Sequence, residues 1–410
     1  MESGLQYLGI RGAESEGGCM HYTLTAIAFD TDCVELMHSP SNDPAAIADH
    51  TLPVGQTFRW RPGPRAGAFR GVVGRRVFEV EQGEGEEDVR FRVLGPPGAG
   101  AGSGGACPAE ATLRGYFTLG KDLGALSAHW AARDQRFAAL EGFFPGCRLL
   151  RQDPLECLFS FILSSNNHIS RIQSMVDTLC AYGDRLEVGD GGEAFYAFPS
   201  LDQLARASEA DLRAKGFGYR ARFVAEAVAQ LRDKPGGGAA WLEGLRDDAG
   251  LDEARQELTS LRGVGPKVAS CVALFSLDKY GAIPVDTHVW DLAVNYYKPE
   301  LREAKSLTPR VMAQVEEAFA ETFGDHCGWA HNTLFVSELA SFQKQLPEDL
   351  RTPPRKRKSP KKEKAPKGKQ GAAAAAAAAG EETKDKKARK RGGAPPKRAR
   401  KRKIKLEDEK

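Results

Sequence analysis

Between residues 20 and 95, apolar and polar positions alternate in short runs broken by turn residues: Tyr22–Phe29, Gln56–Trp60, Gly71–Val80 and Val89–Val93. A period of two over such short runs predicts a small, mostly antiparallel sheet. The stretch from Gly95 to Ala106, GPPGAGAGSGGA, is a linker or loop insertion and lacks the Lys and Ser/Thr spacing of a phosphate-binding loop. From Tyr116 onward the pattern becomes helical. Leu126, His129, Trp130 and Phe137 fall at helical spacing within Leu123–Phe137. Pro154–Leu163 (PLECLFSFIL) is apolar on nearly every side and predicts a buried helix. Further helices are expected over Ile169–Tyr182, Ala221–Leu231, Leu251–Leu261, Pro266–Asp278, Thr287–Tyr296 and Thr308–Phe323. Core-forming residues stop near residue 346. The fold class is therefore α+β: a flexible N-terminus (1–19), a small antiparallel β-rich domain (20–115), a mostly helical domain (116–345) and a disordered basic C-terminal tail (346–410).

Charge sharpens the last of these boundaries. The 410-residue chain has a formal net charge of only +3. Residues 351–410 hold 24 Lys/Arg against 7 Asp/Glu, a net of +17, while residues 1–350 hold 34 against 48, a net of −14. An acidic body with a basic tail points to a polyanionic partner. Arg355-Lys356-Arg357-Lys358 and Lys397-Arg398-Ala399-Arg400-Lys401-Arg402-Lys403 are read as nuclear-import signals and non-specific DNA contacts; a merely solubilising tail is the plainer alternative. The alanine run Ala372–Ala379 between them is too short for a stable isolated helix. No run approaches the roughly eighteen apolar residues of a membrane-spanning helix. Met1–Gly18 carries Glu2, Glu14 and Glu16 and no apolar stretch, which fits neither a secretory signal nor a basic transit peptide. The 8 cysteines (Cys19, Cys33, Cys107, Cys147, Cys157, Cys180, Cys271, Cys327) form no C-x-x-C pair and are expected to be reduced thiols, mostly buried.

Candidate chemistry concentrates in residues 253–291, EARQELTSLRGVGPKVASCVALFSLDKYGAIPVDTHVWD. One helix is expected to end at Leu261. Gly263-Val264-Gly265 then make a turn, and Pro266 suits the first position of a second helix. This is a helix–hairpin–helix over 251–278. Its glycines let the backbone lie close to a phosphate, which the free N–H groups of the turn and the second helix can receive. Lys267 falls in the first turn of that helix. The positive helix end and partial burial both favour a neutral amine there, the form a nucleophile needs, although a lone lysine elsewhere would read as a surface residue. Cys271 follows four residues later on the same face, with a small buried core thiol as the equal alternative. Asp286 precedes Thr287–Tyr296 as an N-cap, which keeps a carboxylate ionised. An ionised carboxylate beside a sugar can stabilise positive charge developing at the anomeric carbon.

The order of hairpin, lysine and downstream aspartate resembles the helix–hairpin–helix DNA glycosylases, and within them the eukaryotic 8-oxoguanine DNA glycosylase/lyase family. Gly55-Gln56-Thr57-Phe58-Arg59-Trp60 resembles that family's G-Q-x-F-R-W segment. Leu149–Asn167 (LLRQDPLECLFSFILSSNN), Gly216–Arg222 (GFGYRAR), Gly328-Trp329-Ala330 and Leu334-Phe335 resemble further family segments, so the likeness covers roughly residues 20–345.

The resemblance implies a DNA N-glycosylase that is also an abasic-site lyase in base-excision repair. Its substrate would be 8-oxoguanine, and formamidopyrimidine guanine, opposite cytosine. It implies that the damaged base leaves the stack and enters a pocket. Gly55 would offer its carbonyl to the N7–H that distinguishes 8-oxoguanine from guanine, and Cys271 and Phe335 would sandwich the base. Asn166 would fill the vacated space, Tyr219 would wedge the duplex, and Arg171 and Arg220 would read the orphaned cytosine. Gly263, Val264 and Gly265 would hold a phosphate. Lys267 would attack C1′ and form a Schiff base that leads to β-elimination, Asp286 would stabilise the oxocarbenium-like transition state, and His288 would lie in the pocket or support it.

One position departs from the pattern. After Gly328-Trp329-Ala330 the family usually carries a glutamine that bonds the Watson–Crick edge of the flipped base; here the residue is His331. Imidazole has a different reach, and its protonation would remove the acceptor, so weaker or pH-sensitive recognition is expected. No cofactor is implied. The related endonuclease III-like and adenine glycosylases carry four cysteines after the hairpin for an iron–sulfur cluster, whereas only Cys327 follows Asp286 here. A structural monovalent or calcium ion at the hairpin backbone stays open. Alkylpurine glycosylases of this fold usually lack the lysine. The reading from a different class is a non-catalytic chromatin- or DNA-binding protein. The expected partner is double-stranded DNA containing oxidised guanine, bound by a monomer with no membrane association. Downstream base-excision repair proteins and a nuclear import receptor would be further partners. The expected location is the nucleus, with an organelle pool left open.

Overall fold

In the computed structural model, residues 35–38, 47–82, 88–95, 108–188 and 193–353 are described. The expected strand Tyr22–Phe29, nearly all of the Gly95–Ala106 linker, and the basic clusters Arg355–Lys358 and Lys397–Lys403 lie outside them.

Alternation does build an antiparallel sheet. Its strands are β1 (Glu35–His38), β2 (Arg61–Pro62), β3 (Ala68–Val73), β4 (Arg76–Glu81) and β5 (Asp88–Leu94), ordered β1-β5-β4-β3-β2. Phe78, Val80, Val89 and Phe91 point to one side, where they pack with Trp60 and with Leu113, Tyr116 and Phe117 from the Pro108–Tyr116 helix and its end. On the other side Arg70, Glu79 and Arg92 lie in register across β3, β4 and β5. Burial of the Glu79 carboxylate is more than offset by Arg65, Arg70 and Arg92, which hold it below the usual carboxylate range.

Two strand expectations are corrected. The run Gly71–Val80 is parts of two strands, folded back by a turn at Gly74 and Arg75. Gln56–Trp60 forms no strand because its side chains tie the segment to distant parts of the chain. The Gln56 amide nitrogen donates to the carbonyls of Thr51 (3.1 Å) and Arg148 (2.9 Å), and its oxygen accepts from Leu150 N (3.0 Å). Arg59 makes a buried ion pair with Glu156 at 3.0 Å, and Trp60 Nε1 donates to Tyr116 Oη at 3.0 Å.

The helices follow their apolar stripes. Pro154–Ser164 is buried along nearly its whole length, with Asp153 as its N-cap and Pro154 in its first turn. The expected Leu123–Phe137 helix is instead two, Leu123–Ala131 and Gln135–Leu140. Asp134 breaks it by capping the second, its Oδ1 accepting from Phe137 N at 2.6 Å. A two-stranded ribbon, Arg185–Leu186 with Phe195–Tyr196, was not foreseen. Residues 346–353, expected in the tail, pack onto the body. Leu346 is buried, Arg136 donates to the Leu350 carbonyl at 2.7 Å, and Thr352 bonds Glu338 at 2.5 Å.

Candidate active site

The hairpin sets the geometry. The Leu251–Thr259 helix closes at Ser260, and the Pro266–Ser276 helix opens with Gly265 as its N-cap. Val264 N donates to the Leu261 carbonyl (3.2 Å) and closes the turn. That corrects one expectation, since the Val264 amide is used inside the hairpin. Among the described residues the amides of Gly263 and Gly265 have no acceptor. Gly263 sits at φ +83, and a Cβ there would lie 2.6 Å from Cβ of Phe223, so the turn excludes a side chain twice over.

The second helix aims Lys267, Cys271 and Phe275 along one face at intervals of four into a cavity of about 40 Å³. Gly55, Gln56, Phe161, Asp286, His331, Asn332 and Phe335 also line it. The Lys267 ammonium stands 5.2 Å from the centroid of the Phe161 ring, which stacks on Phe275 at 5.6 Å. Burial pulls the Lys267 pKa down, but the Cys271 sulfur and the Asp286 carboxylate outweigh it and hold the ammonium above its ordinary range. This reverses the expectation of a resting neutral amine. Burial also pushes the Cys271 thiol up, with Lys267 offsetting only part. Asp286 is the N-cap of Thr287–Tyr296, its Oδ1 accepting from His288 N (2.9 Å) and Val289 N (3.0 Å).

His331 is buried in the cavity wall, stacked on Phe335 (6.1 Å between centroids) and edge-on to Phe319 (5.6 Å). Burial pushes its pKa down to about 4, with Asp286 offsetting only part. The ring is therefore neutral near pH 7, and the expectation that its own protonation would make recognition pH-sensitive is corrected. His288 does not line the cavity; it is exposed and packs edge-on against Phe335 at 6.4 Å, so it supports the wall from outside.

Asn166, Arg171, Tyr219 and Arg220 gather in a cluster separate from this cavity. Tyr219 is 45% exposed, and its hydroxyl donates to the Ser165 carbonyl at 2.8 Å. Arg220 is buried against the Tyr219 ring (4.6 Å), with Nε donating to the Ser165 carbonyl (3.1 Å) and Nη2 to the Asn166 carbonyl (2.8 Å). Arg171 donates to the Gly216 carbonyl at 3.1 Å. Exposed Asn166 has φ +48, a conformation rare for a residue with a side chain. Arg220 thus braces the Ser165–Asn166 turn rather than presenting a free guanidinium.

Sequence reasoning missed Gln56, Phe161, Phe275 and Asn332 as lining residues. Phe275 continues the Lys267–Cys271 spacing by another four residues, and Gln56 and Asn332 each adjoin a residue already singled out. Among the described residues no group of three or more His, Cys, Asp or Glu is placed to hold a metal ion.

Comparison with known proteins accounts for most of the described chain. Residues 44–158 match the model of the 8-oxoguanine DNA glycosylase N-terminal domain, and residues 159–319 match the HhH-GPD superfamily of base excision DNA repair proteins. The N-glycosylase/DNA lyase OGG1 of Arabidopsis thaliana is 44% identical over 305 residues, covering 74% of this chain and 80% of the relative. The N-glycosylase/DNA lyase of Saccharomyces cerevisiae is 33% identical over 318 residues, covering 71% and 82% respectively. The apo crystal structure of Clostridium acetobutylicum 8-oxoguanine glycosylase/lyase superposes with a TM-score of 0.62 at 28% identity, covering 76% of this chain and 99% of that one. The chain belongs to the 8-oxoguanine DNA glycosylase family, within the helix–hairpin–helix superfamily of base-excision repair proteins.

Proposed function

We propose that the protein is a bifunctional DNA glycosylase and abasic-site lyase that excises 8-oxoguanine from duplex DNA. The observation that carries the reading is an amine and a carboxylate, Lys267 and Asp286, facing one cavity at the foot of a hairpin with unpaired backbone amides. Phosphate binding at Gly263 and Gly265 anchors the strand, and the extruded nucleoside places its sugar at Lys267. Because the resting amine is held protonated, it gives up a proton to water before attack. Its nitrogen then bonds C1′ as the bond from C1′ to the base breaks, the electron pair leaving with the base. Asp286 stabilises the positive charge that builds on the sugar in that step. Opening of the sugar ring gives the Schiff base; loss of a C2′ proton then expels the 3′ phosphate and nicks the strand.

Cytosine as the preferred opposite base and formamidopyrimidine guanine as a second substrate belong to this proposal. So do Gly55 as the N7–H acceptor, Cys271 and Phe335 as the sandwich, and Asn166, Arg171, Tyr219 and Arg220 as the cluster that meets the opened duplex. The chemistry requires no cofactor; a monovalent or calcium ion at the hairpin backbone would be structural. Action as a monomer, in the nucleus, with the basic tail read by an import receptor and repair proteins acting downstream, completes the proposal.

Borohydride trapping tests it. Duplexes carrying 8-oxoguanine opposite each of the four bases should yield a covalent adduct, strongest opposite cytosine and absent in Lys267→Gln. No adduct with any duplex would sink the lyase mechanism, and an adduct that survives Lys267→Gln would reassign the nucleophile.

A further inference from the structure

Near the end of the described chain sits a hydroxyl whose hydrogen-bonding capacity is fully used. Thr352 Oγ1 donates its one proton to Glu338 Oε1 at 2.5 Å, and it accepts from Arg136 Nη2 and Tyr296 Oη, each at 3.2 Å. The Thr352 amide adds a bond to Gln343 Oε1 at 3.2 Å. These contacts fasten residues 351–353 to the end of the Cys327–Glu338 helix. The fastening is peripheral, for Thr352 is only half-buried, and Arg351 and Pro353 are exposed. The sequence at this point is Thr352-Pro353-Pro354-Arg355. Pro353 keeps the residue before it out of the helical region, so the hydroxyl is carried on extended chain, the form that a protein-kinase cleft accepts. A proline directly after the hydroxyl residue, with a basic residue three places on, is the pattern that proline-directed kinases read. Among the described residues the other hydroxyl before a proline is that of Thr308. It caps the Pro309–Phe323 helix and has Val311 at the third place, so it meets neither condition.

We propose that Thr352 is a phosphorylation site for a proline-directed protein kinase, and that the phosphate unfastens residues 351–353 from Glu338 and Tyr296. Access requires only that the last few described residues peel away, an opening expected of a segment held by surface contacts. In the transfer, Thr352 Oγ1 gives its proton to a base of the kinase and bonds the γ-phosphorus of a nucleoside triphosphate. The bond from that phosphorus to the β-phosphate oxygen breaks, and its electron pair leaves with the nucleoside diphosphate. The ester oxygen then has no proton for Glu338. Nor is there room for a phosphoryl group where Oγ1 meets Glu338, Arg136 and Tyr296 at 2.5–3.2 Å. The group also brings about −1.5 to −2 charges at pH 7 toward a carboxylate. Arg136 does not compensate, because it is already held by the Leu350 carbonyl at 2.7 Å, by Glu338 at 3.8 Å and by the Tyr296 ring at 4.4 Å. The residues released are those that lead into Arg355-Lys356-Arg357-Lys358, which puts the join between the body and its basic tail under the control of a kinase.

The test uses the full chain with Ser359→Ala, which removes the neighbouring Ser359-Pro360-Lys361-Lys362 pattern. This chain and a peptide of residues 348–357 are each treated with a purified cyclin-dependent kinase and ATP. Mass spectrometry finds phosphate on Thr352 in both. Hydrogen exchange at the amides of Arg351 and Thr352 is then about tenfold faster in the modified chain than in the unmodified one. The further substitution Thr352→Val, similar in shape but with neither hydroxyl nor phosphate, speeds exchange less than the phosphate does. A peptide that accepts phosphate while the folded chain does not would show that Thr352 is held out of reach. A peptide that accepts none would show that the pattern is unread, and either result would overturn the site. Unchanged exchange, or slower exchange because Arg136 captures the phosphate, would overturn the unfastening. An equal effect from Thr352→Val would remove the phosphate's part in it.

Discussion

Asp286 combines two roles in one side chain, holding the start of a helix and setting the charge of the amine across the cavity. The roles separate in Asp286→Asn. Asparagine caps a helix about as well as aspartate, so stability should change by no more than about 0.5 kcal/mol in thermal or urea unfolding. The charge effects should be large. Lys267 loses the carboxylate that raises its pKa, so the limb of the single-turnover pH profile that rises with pH should move to lower pH. The plateau should nevertheless drop by about a hundredfold, because the developing sugar cation loses its stabiliser. An unchanged limb would show that Asp286 does not control the amine. The sequence made Lys267 and Asp286 legible because each stands at a helix N-terminus marked by punctuation, Gly-Pro before one and Pro-Val before the other. It did not reveal their protonation. The helix end and burial argue for a neutral lysine, and the outweighing neighbours become visible only once Asp286 and Cys271 stand around the same cavity. For His331 the failure ran the other way: the substitution was plain, but its burial, and hence its neutrality, was not.

At the level of elements, the hairpin is held by its backbone conformation together with Gln230, whose side chain accepts from Arg262 N (2.7 Å) and donates to the Ser260 carbonyl (3.3 Å). Gly263→Ala places a side chain at φ +83 and drives a Cβ toward Phe223. A cost of about 1–2 kcal/mol for the backbone alone is expected, with more from the clash. Duplex affinity should fall for damaged and undamaged DNA alike, as measured by fluorescence anisotropy. Gly265→Ala, at φ −99 with open space around it, should keep the stability of the parent. Equal loss of stability in the two variants would count against this account. Helices were read well because their apolar stripes face one large core, as in Thr287–Tyr296, and Thr308 proved to be a cap rather than a first turn. Gln56–Trp60 misled because its alternation serves anchoring: Gln56, Arg59 and Trp60 each reach partners far along the chain, which no local period encodes.

For the whole molecule, the division of charge yields a prediction about how it meets DNA. Residues 354–410, which begin beyond the contacts of Arg351 and Thr352, hold 23 Lys/Arg against 7 Asp/Glu. Removing them after Pro353 should leave single-turnover excision at saturating enzyme nearly intact. Affinity for undamaged duplex should weaken, and the dependence of log affinity on log salt should become shallower, as titrations at several salt concentrations would show. An unchanged slope would mean the tail makes few phosphate contacts. A cut at residue 350 would also sever Thr352 from Glu338 and Gln343, so loss of stability there would say nothing about DNA. The cavity itself, about 40 Å³ at rest, has room for a few water molecules and not for a purine ring system. As a template for inhibitor discovery the resting form would therefore reject the very scaffold the enzyme acts on. Compounds chosen to fit it would be selected for smallness, and productive design has to start from a wider form of the cavity.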